Sequence, residues 1–109
     1  MINLYQEREV KRLEARNHLQ AETWILLKAL LLEFFPKQKV WIFGSLVKAG
    51  KFHSYSDIDL AIEKVPEGRS EFEIAVAMEE RIKRPVDLVL LGECRFKSKI
   101  LKEGLLWIQ

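Results

Sequence analysis

All three aspartates of this 109-residue chain lie in or against two short apolar runs. Asp57-Ile58-Asp59 leads into Leu60-Ala61-Ile62, and Asp87 sits within Pro85-Val86-Asp87-Leu88-Val89-Leu90-Leu91. Strands disfavour aspartate, and a charge among buried residues is costly unless it is paired or bound to a cation. The other acids are thirteen glutamates spread along the rest of the chain, so solubility alone does not require the shorter side chain here. The pattern constrains the fold to a sheet that carries carboxylates on strand ends, where short acids suit a hard cation.

Residues two apart in a strand point the same way, roughly 6.5–7 Å apart at Cα. Asp57 and Asp59 therefore project together, while Ile58, Leu60 and Ile62 turn to the opposite face. If the strand holding Asp87 is a neighbour, its carboxylate completes the cluster, with Val86, Leu88 and Leu90 turned away. Such acids can share one or two Mg²⁺ ions, the clamp of in-line phosphoryl or nucleotidyl displacement. Gly44-Ser45 supplies a second element. A strand ends, glycine turns the backbone, and the free N–H groups of a following helix with the serine hydroxyl can cradle phosphate. Lys48, one turn into that helix, can steady the same anion.

The remainder reads as helices around a sheet. Residues 3–16 form a charged helical stretch, with Glu7 and Lys11 spaced to pair across one turn. Residues 20–35 form a second stretch, apolar on most faces and ended by Pro36; whether the two are one helix or bend near Asn17-His18 stays open. Residues 40–43 read as a buried strand, 46–56 as a helical turn and polar loop, 58–63 as a second strand and 86–91 as a third. Ser70-Glu71-Phe72-Glu73 has the capping-box pattern, and Ile74, Met78 and Ile82 give the helix it opens an apolar stripe. A short helix over 95–103 is expected to end at Gly104 as a left-handed C-cap. The apolar tail 105–108 is expected to dock, and Trp24 and Trp41 belong to the core. Lys51 and His53 are expected as solvent-exposed loop residues.

Length and composition set bounds. The chain suffices for one domain, 1–109, with a helical part at 1–35 and a core at 39–104. The fold class is α/β (α+β), a small mixed sheet of three or slightly more strands packed with helices. A net charge of +2 is too small to argue for nucleic acid. Cys94 stands alone, so there is no intrachain disulfide framework, and it reads as a bystander. The first residues lack a signal-peptide apolar core, and the greasiest stretch, 24–35, is too short to span a bilayer. The expected location is the cytoplasm, with no membrane partner.

Phe43-Gly44-Ser45, then Ser56-Asp57-Ile58-Asp59-Leu60-Ala61-Ile62, then Val86-Asp87-Leu88 resembles the signature of the DNA polymerase β-like nucleotidyltransferases. The match is closest to the stand-alone minimal nucleotidyltransferase (MNT) proteins and covers roughly residues 40–104. The resemblance implies a polymerase β-like fold. Asp57, Asp59 and Asp87 would be the catalytic residues and the ligands of two Mg²⁺ ions. Asp87 would orient or deprotonate the nucleophile, and Gly44, Ser45 and Lys48 would bind ATP or another nucleoside triphosphate. Relatives of this kind are often encoded beside a small helical protein of the HEPN type. The resemblance therefore implies an antitoxin that transfers AMP from ATP to a protein hydroxyl. Residues 20–35 and 105–108 are then candidate surfaces for that partner or for a homo-oligomer.

One departure is plain. Many relatives follow the Gly-Ser pair with Ala-Arg-Gly, whereas this chain has Leu46-Val47-Lys48-Ala49-Gly50. Lysine lacks the bidentate fork of arginine, which motivates a competing reading: a binding module that neutralises a helical partner by contact alone. A nucleotide-sugar transferase, an RNA-extending enzyme and an antibiotic-modifying transferase rank lower, because each needs a domain or basic groove that this chain does not display.

Overall fold

The chain begins with one unbroken helix, α1 (Leu4–Phe34), in a computed structural model that describes residues 3–108. Asn3 and Gln6 cap it reciprocally: the Asn3 side chain accepts from the Gln6 amide at 2.8 Å, and Gln6 Oε1 accepts from the Asn3 amide at 3.0 Å. The open question at Asn17-His18 resolves to a continuous helix. There the Thr23 hydroxyl donates to the Leu19 carbonyl at 2.7 Å, and His18 Nε2 lies 2.9 Å from Glu22. Only the C-terminal half of α1 is core. Leu27, Leu30 and Leu31 are fully buried, whereas Leu4, Tyr5, Val10 and Leu13 face solvent.

Four strands follow: β1 (Val40–Phe43), β2 (Ile58–Ile62), β3 (Val86–Leu90) and β4 (Leu105–Trp107). Their order across the sheet is β3-β2-β1-β4. β1 runs antiparallel to both β2 and β4, and β2 pairs parallel with β3. A parallel pair requires a crossover, and α2 (Glu71–Ile82) provides it. Ser70 caps this helix by accepting from the Glu73 amide at 3.1 Å. Ile74, Met78 and Ile82 are its buried residues, the expected stripe. Arg81 of α2 pairs with Glu33 of α1, tying the two helices together.

The two faces of the sheet differ. Ile42, Ile58, Leu60 and Ile62 join Leu27, Leu31, Ile74 and Met78 in the main core beneath α1 and α2. The other face carries a smaller cluster of Trp41, Ala61, Leu91 and Ile100, the last from α3 (Lys97–Glu103). Trp41 is core as expected, while Trp24 is partly buried at its margin. Much of the sheet's second face is therefore left for chemistry.

Two local expectations change. The apolar tail docks as a short fourth strand on the free edge of β1, with Leu105 and Leu106 still about half exposed at 50% and 44%. Gly104 is not left-handed: its φ is -73° and ψ 157°. It is glycine for close approach, since a Cβ there would lie 2.6 Å from the Ile100 carbonyl and 3.3 Å from that of Ile42. No helix among the described residues is long and apolar enough to cross a membrane.

Candidate active site

Pleating sends Asp59 to the face opposite the buried Ile58 and Leu60. The register then pairs Asp59 with Asp87 across the parallel β2–β3 ladder and with Phe43 across β1. Paired residues share a face, and neighbouring strands lie about 4.8 Å apart. The strands containing Asp59 and Asp87 are thus neighbours, the condition on which Asp87 joins the cluster. Asp57 stands one residue before β2, exposed like Asp87, while Asp59 is half-buried. The Asp59 carboxyl is raised from 3.8 to about 6, first by burial, then by the charges of Asp87 and Asp57. Asp87 and Asp57 therefore both bear on Asp59.

Gly44 explains itself at the same spot. Its φ is +77°, and a Cβ on it would fall 2.2 Å from Asp59 Oδ2. Any side chain would evict the central carboxylate. Ser45 follows in a single 3-10 turn, Gly44–Val47. The expected helical turn forms as this short 3-10 turn, and Lys48 lies just past it in extended backbone rather than one turn inside a helix. The cause lies in α1, whose side chains claim the carbonyls of this segment: Gln20 Nε2 donates to Leu46 O at 2.6 Å and Arg16 Nη1 to Gly50 O at 3.1 Å. Leu46 is fully buried, so the segment cannot rewind without pulling a core residue out. Lys51 and His53 are exposed, as expected.

Sequence reasoning missed Arg84. Its Nη1 donates to the Ser56 carbonyl at 2.7 Å and to the His53 carbonyl at 3.2 Å, and the guanidinium sits 4.5 Å from the Phe52 ring centroid. It thereby clamps the loop that delivers Asp57. Burial lowers the Arg84 pKa, while the nearby charge of Asp57 opposes that shift. Glu79 of α2 helps from the other side, its Oε1 accepting from the Val86 amide at 2.9 Å, next to Asp87. No local pattern marks either residue, because Arg84 acts on a segment 28 positions away.

The donor set is three carboxylates, which suits a hard divalent cation such as Mg²⁺. The strained protonation of Asp59 fits too, since a cation would relieve the mutual repulsion. Among the described residues no three His, Cys, Asp or Glu side chains already close into a cage. The aspartates share a neighbourhood without forming such a group.

Comparison with known proteins bears on this geometry. The sequence model of a family described as "Polymerase beta, Nucleotidyltransferase" matches residues 27–109, a span that contains every strand and all three aspartates. The chain belongs to this family. A polymerase β nucleotidyltransferase assignment agrees with the mixed α+β architecture. A Haemophilus influenzae protein named "Probable protein adenylyltransferase MntA" is 44% identical over 48 residues. That stretch is 44% of this chain and 41% of the relative, so the relative is matched over less than half its length. Among solved structures, one described as a toxin-antitoxin with AMP-PNP superposes with TM-score 0.60 at 27% identity, covering 76% of this chain and 71% of the other. Another, a tri-AMPylated Shewanella oneidensis HEPN toxin in complex with MNT antitoxin, gives TM-score 0.57 at 25% identity over 83% of this chain and 73% of its own.

Proposed function

We propose that this family member is a Mg²⁺-dependent nucleotidyltransferase that moves AMP from ATP onto a hydroxyl of a protein partner. On this reading the partner is a helical HEPN-type toxin in the cytoplasm, and the chain is its antitoxin. The observation that carries the chemistry is the in-register pairing of Asp59 with Asp87 beside a glycine that leaves no room for a side chain. The nucleotide, acceptor class and partner are supported by relatives named as an adenylyltransferase and as HEPN toxin–MNT antitoxin or AMP-PNP complexes.

Asp57, Asp59 and Asp87 would hold the Mg²⁺ ions, which when bound supply charge neutralisation for the attacking and leaving oxygens. The residues of the chain do the rest. N–H groups of the Gly44-Ser45 turn, with the serine hydroxyl, bind the triphosphate, and Lys48 adds a point charge. Asp87, exposed on the edge strand β3, orients the acceptor hydroxyl and takes its proton. The acceptor oxygen bonds to the α-phosphorus, the bond from that phosphorus to the pyrophosphate oxygen breaks, and pyrophosphate leaves with the electron pair.

The test is intact mass of the partner after incubation with the chain, ATP and Mg²⁺. Addition of one or more AMP units, abolished by Asp57→Asn in a protein that still folds, is the expected result. Transfer retained by that variant would overturn the assignment. A second reading, neutralisation by contact alone, draws on the shortness of the turn after Ser45, which leaves Lys48 in extended backbone. It predicts that toxin neutralisation survives replacement of all three aspartates.

A further inference from the structure

A cavity lies against the proposed catalytic face and shares Gly44 and Lys48 with the proposed triphosphate site, while the rest of its lining has no role in the chemistry described so far. It holds about 210 Å³ and is lined by Phe43, Val47, Phe96 and Ile100, with the exposed Lys48, Lys99 and Glu103. Its position is set by two elements: Phe43 is the register partner of Asp59, and Ile100 belongs to the small cluster on the acid-bearing face. Gly44 borders both places, lining the cavity while its backbone abuts the Asp59 carboxylate. A molecule seated in the cavity is therefore continuous with one reacting at the acids.

We propose that this cavity seats the nucleobase of the donor nucleotide, stacked on Phe96; the inference rests on the nucleotidyltransferase reading and deepens it. Size favours a base: the volume is below the ~300–1,000 Å³ of pockets that enclose a drug-sized ligand, so a flat ring system fits and a whole nucleotide does not. Lining chemistry favours it as well. Two phenylalanines and two aliphatic residues make up half of the lining and match a π-face. Lys48 and Lys99 line the same cavity as Gly44 and give a polyanion counter-charge, against one opposing charge from Glu103. Phe96 is 65% exposed, an aromatic ring at the cavity with most of its surface uncovered by the protein. Its exposure also means that truncating it spares the core.

The experiment is calorimetric binding of Mg²⁺-ATP and of Mg²⁺-tripolyphosphate to the full chain, its Phe96→Ala variant and its Lys99→Ala variant. Loss of one stacking surface should weaken ATP roughly 10-fold and leave tripolyphosphate unchanged, whereas Lys99→Ala should weaken both. In the transfer assay Phe96→Ala should raise the KM for ATP with kcat nearly unaltered. ATP binding unaffected by Phe96→Ala would overturn the base assignment while leaving the enzyme reading intact. Equal weakening of ATP and tripolyphosphate would overturn it too, by making the cavity a phosphate site. A wild-type chain that binds neither ligand would remove the nucleotidyltransferase reading itself.

Discussion

Replacing Asp59 with asparagine should stabilise the cation-free protein while destroying its activity. The Asp59 carboxyl is raised from 3.8 to about 6, so the folded state binds a proton that the unfolded chain has already released. The sign follows from linkage: between those two values the native state holds more protons, and stability falls as pH rises from about 4 through about 6, then levels off. A shift of about 2 units at 1.36 kcal/mol each would cost ~3 kcal/mol. Because the carboxylate is half open to water, screening reduces this to ~1–2 kcal/mol. Asn keeps the shape and removes the charge. Urea unfolding in EDTA at pH 8 should therefore show Asp59→Asn more stable by that amount, roughly 5–10 °C in Tm for a domain of this size. At pH 4 the difference should nearly vanish. Mg²⁺ should reverse the order at pH 8, stabilising the wild type by mass action and the variant much less. A variant no more stable than wild type at pH 8 in EDTA would refute the reasoning, since the central carboxylate would then not be penalised by its burial and its neighbours.

The other perturbations act on its supports. Gly44→Ala forces a residue into φ +77° and a Cβ against Asp59 Oδ2; it should cost ~1–2 kcal/mol from backbone conformation alone and reduce transfer at least as severely as losing the carboxylate, read by urea unfolding and partner mass. Arg84→Ala removes two carbonyl hydrogen bonds and the contact with Phe52. It should destabilise by ~1–2 kcal/mol and raise the Mg²⁺ concentration needed for half-maximal transfer, with Arg84→Lys restoring part of the metal dependence. An unchanged Mg²⁺ profile in Arg84→Ala would show that the clamp does not position Asp57.

Much of this was legible in the order of residues because it rests on local rules. Period-two alternation around Asp59 and Asp87 identified β2 and β3, and it put both acids on the face away from Ile58, Leu60 and Leu88. The Ser70 cap and the Ile74-Met78-Ile82 stripe announced α2 in the same way. Elements whose form depends on distant partners were not legible. Leu105–Trp107 is too short to declare itself a strand, and it is one because β1 has a free edge. Residues after Ser45 carry helical character, yet Gln20 and Arg16 of α1 hold them in a tighter turn.

The sequence alone singled out the candidate site residues: aspartates in apolar runs, a Gly-Ser at a strand end, and the order in which they come. That information is intrinsic, because pleat and turn geometry span a few residues. Tertiary structure decided what those residues do to one another. The parallel register of β2 and β3 sets Asp59 beside Asp87, the approach of Gly44 fills the space a side chain would need, and Arg84 reaches across 28 positions to hold the loop before Asp57. Each is a contact between segments far apart in the chain, fixed by how α1 and α2 cover the opposite face of the sheet.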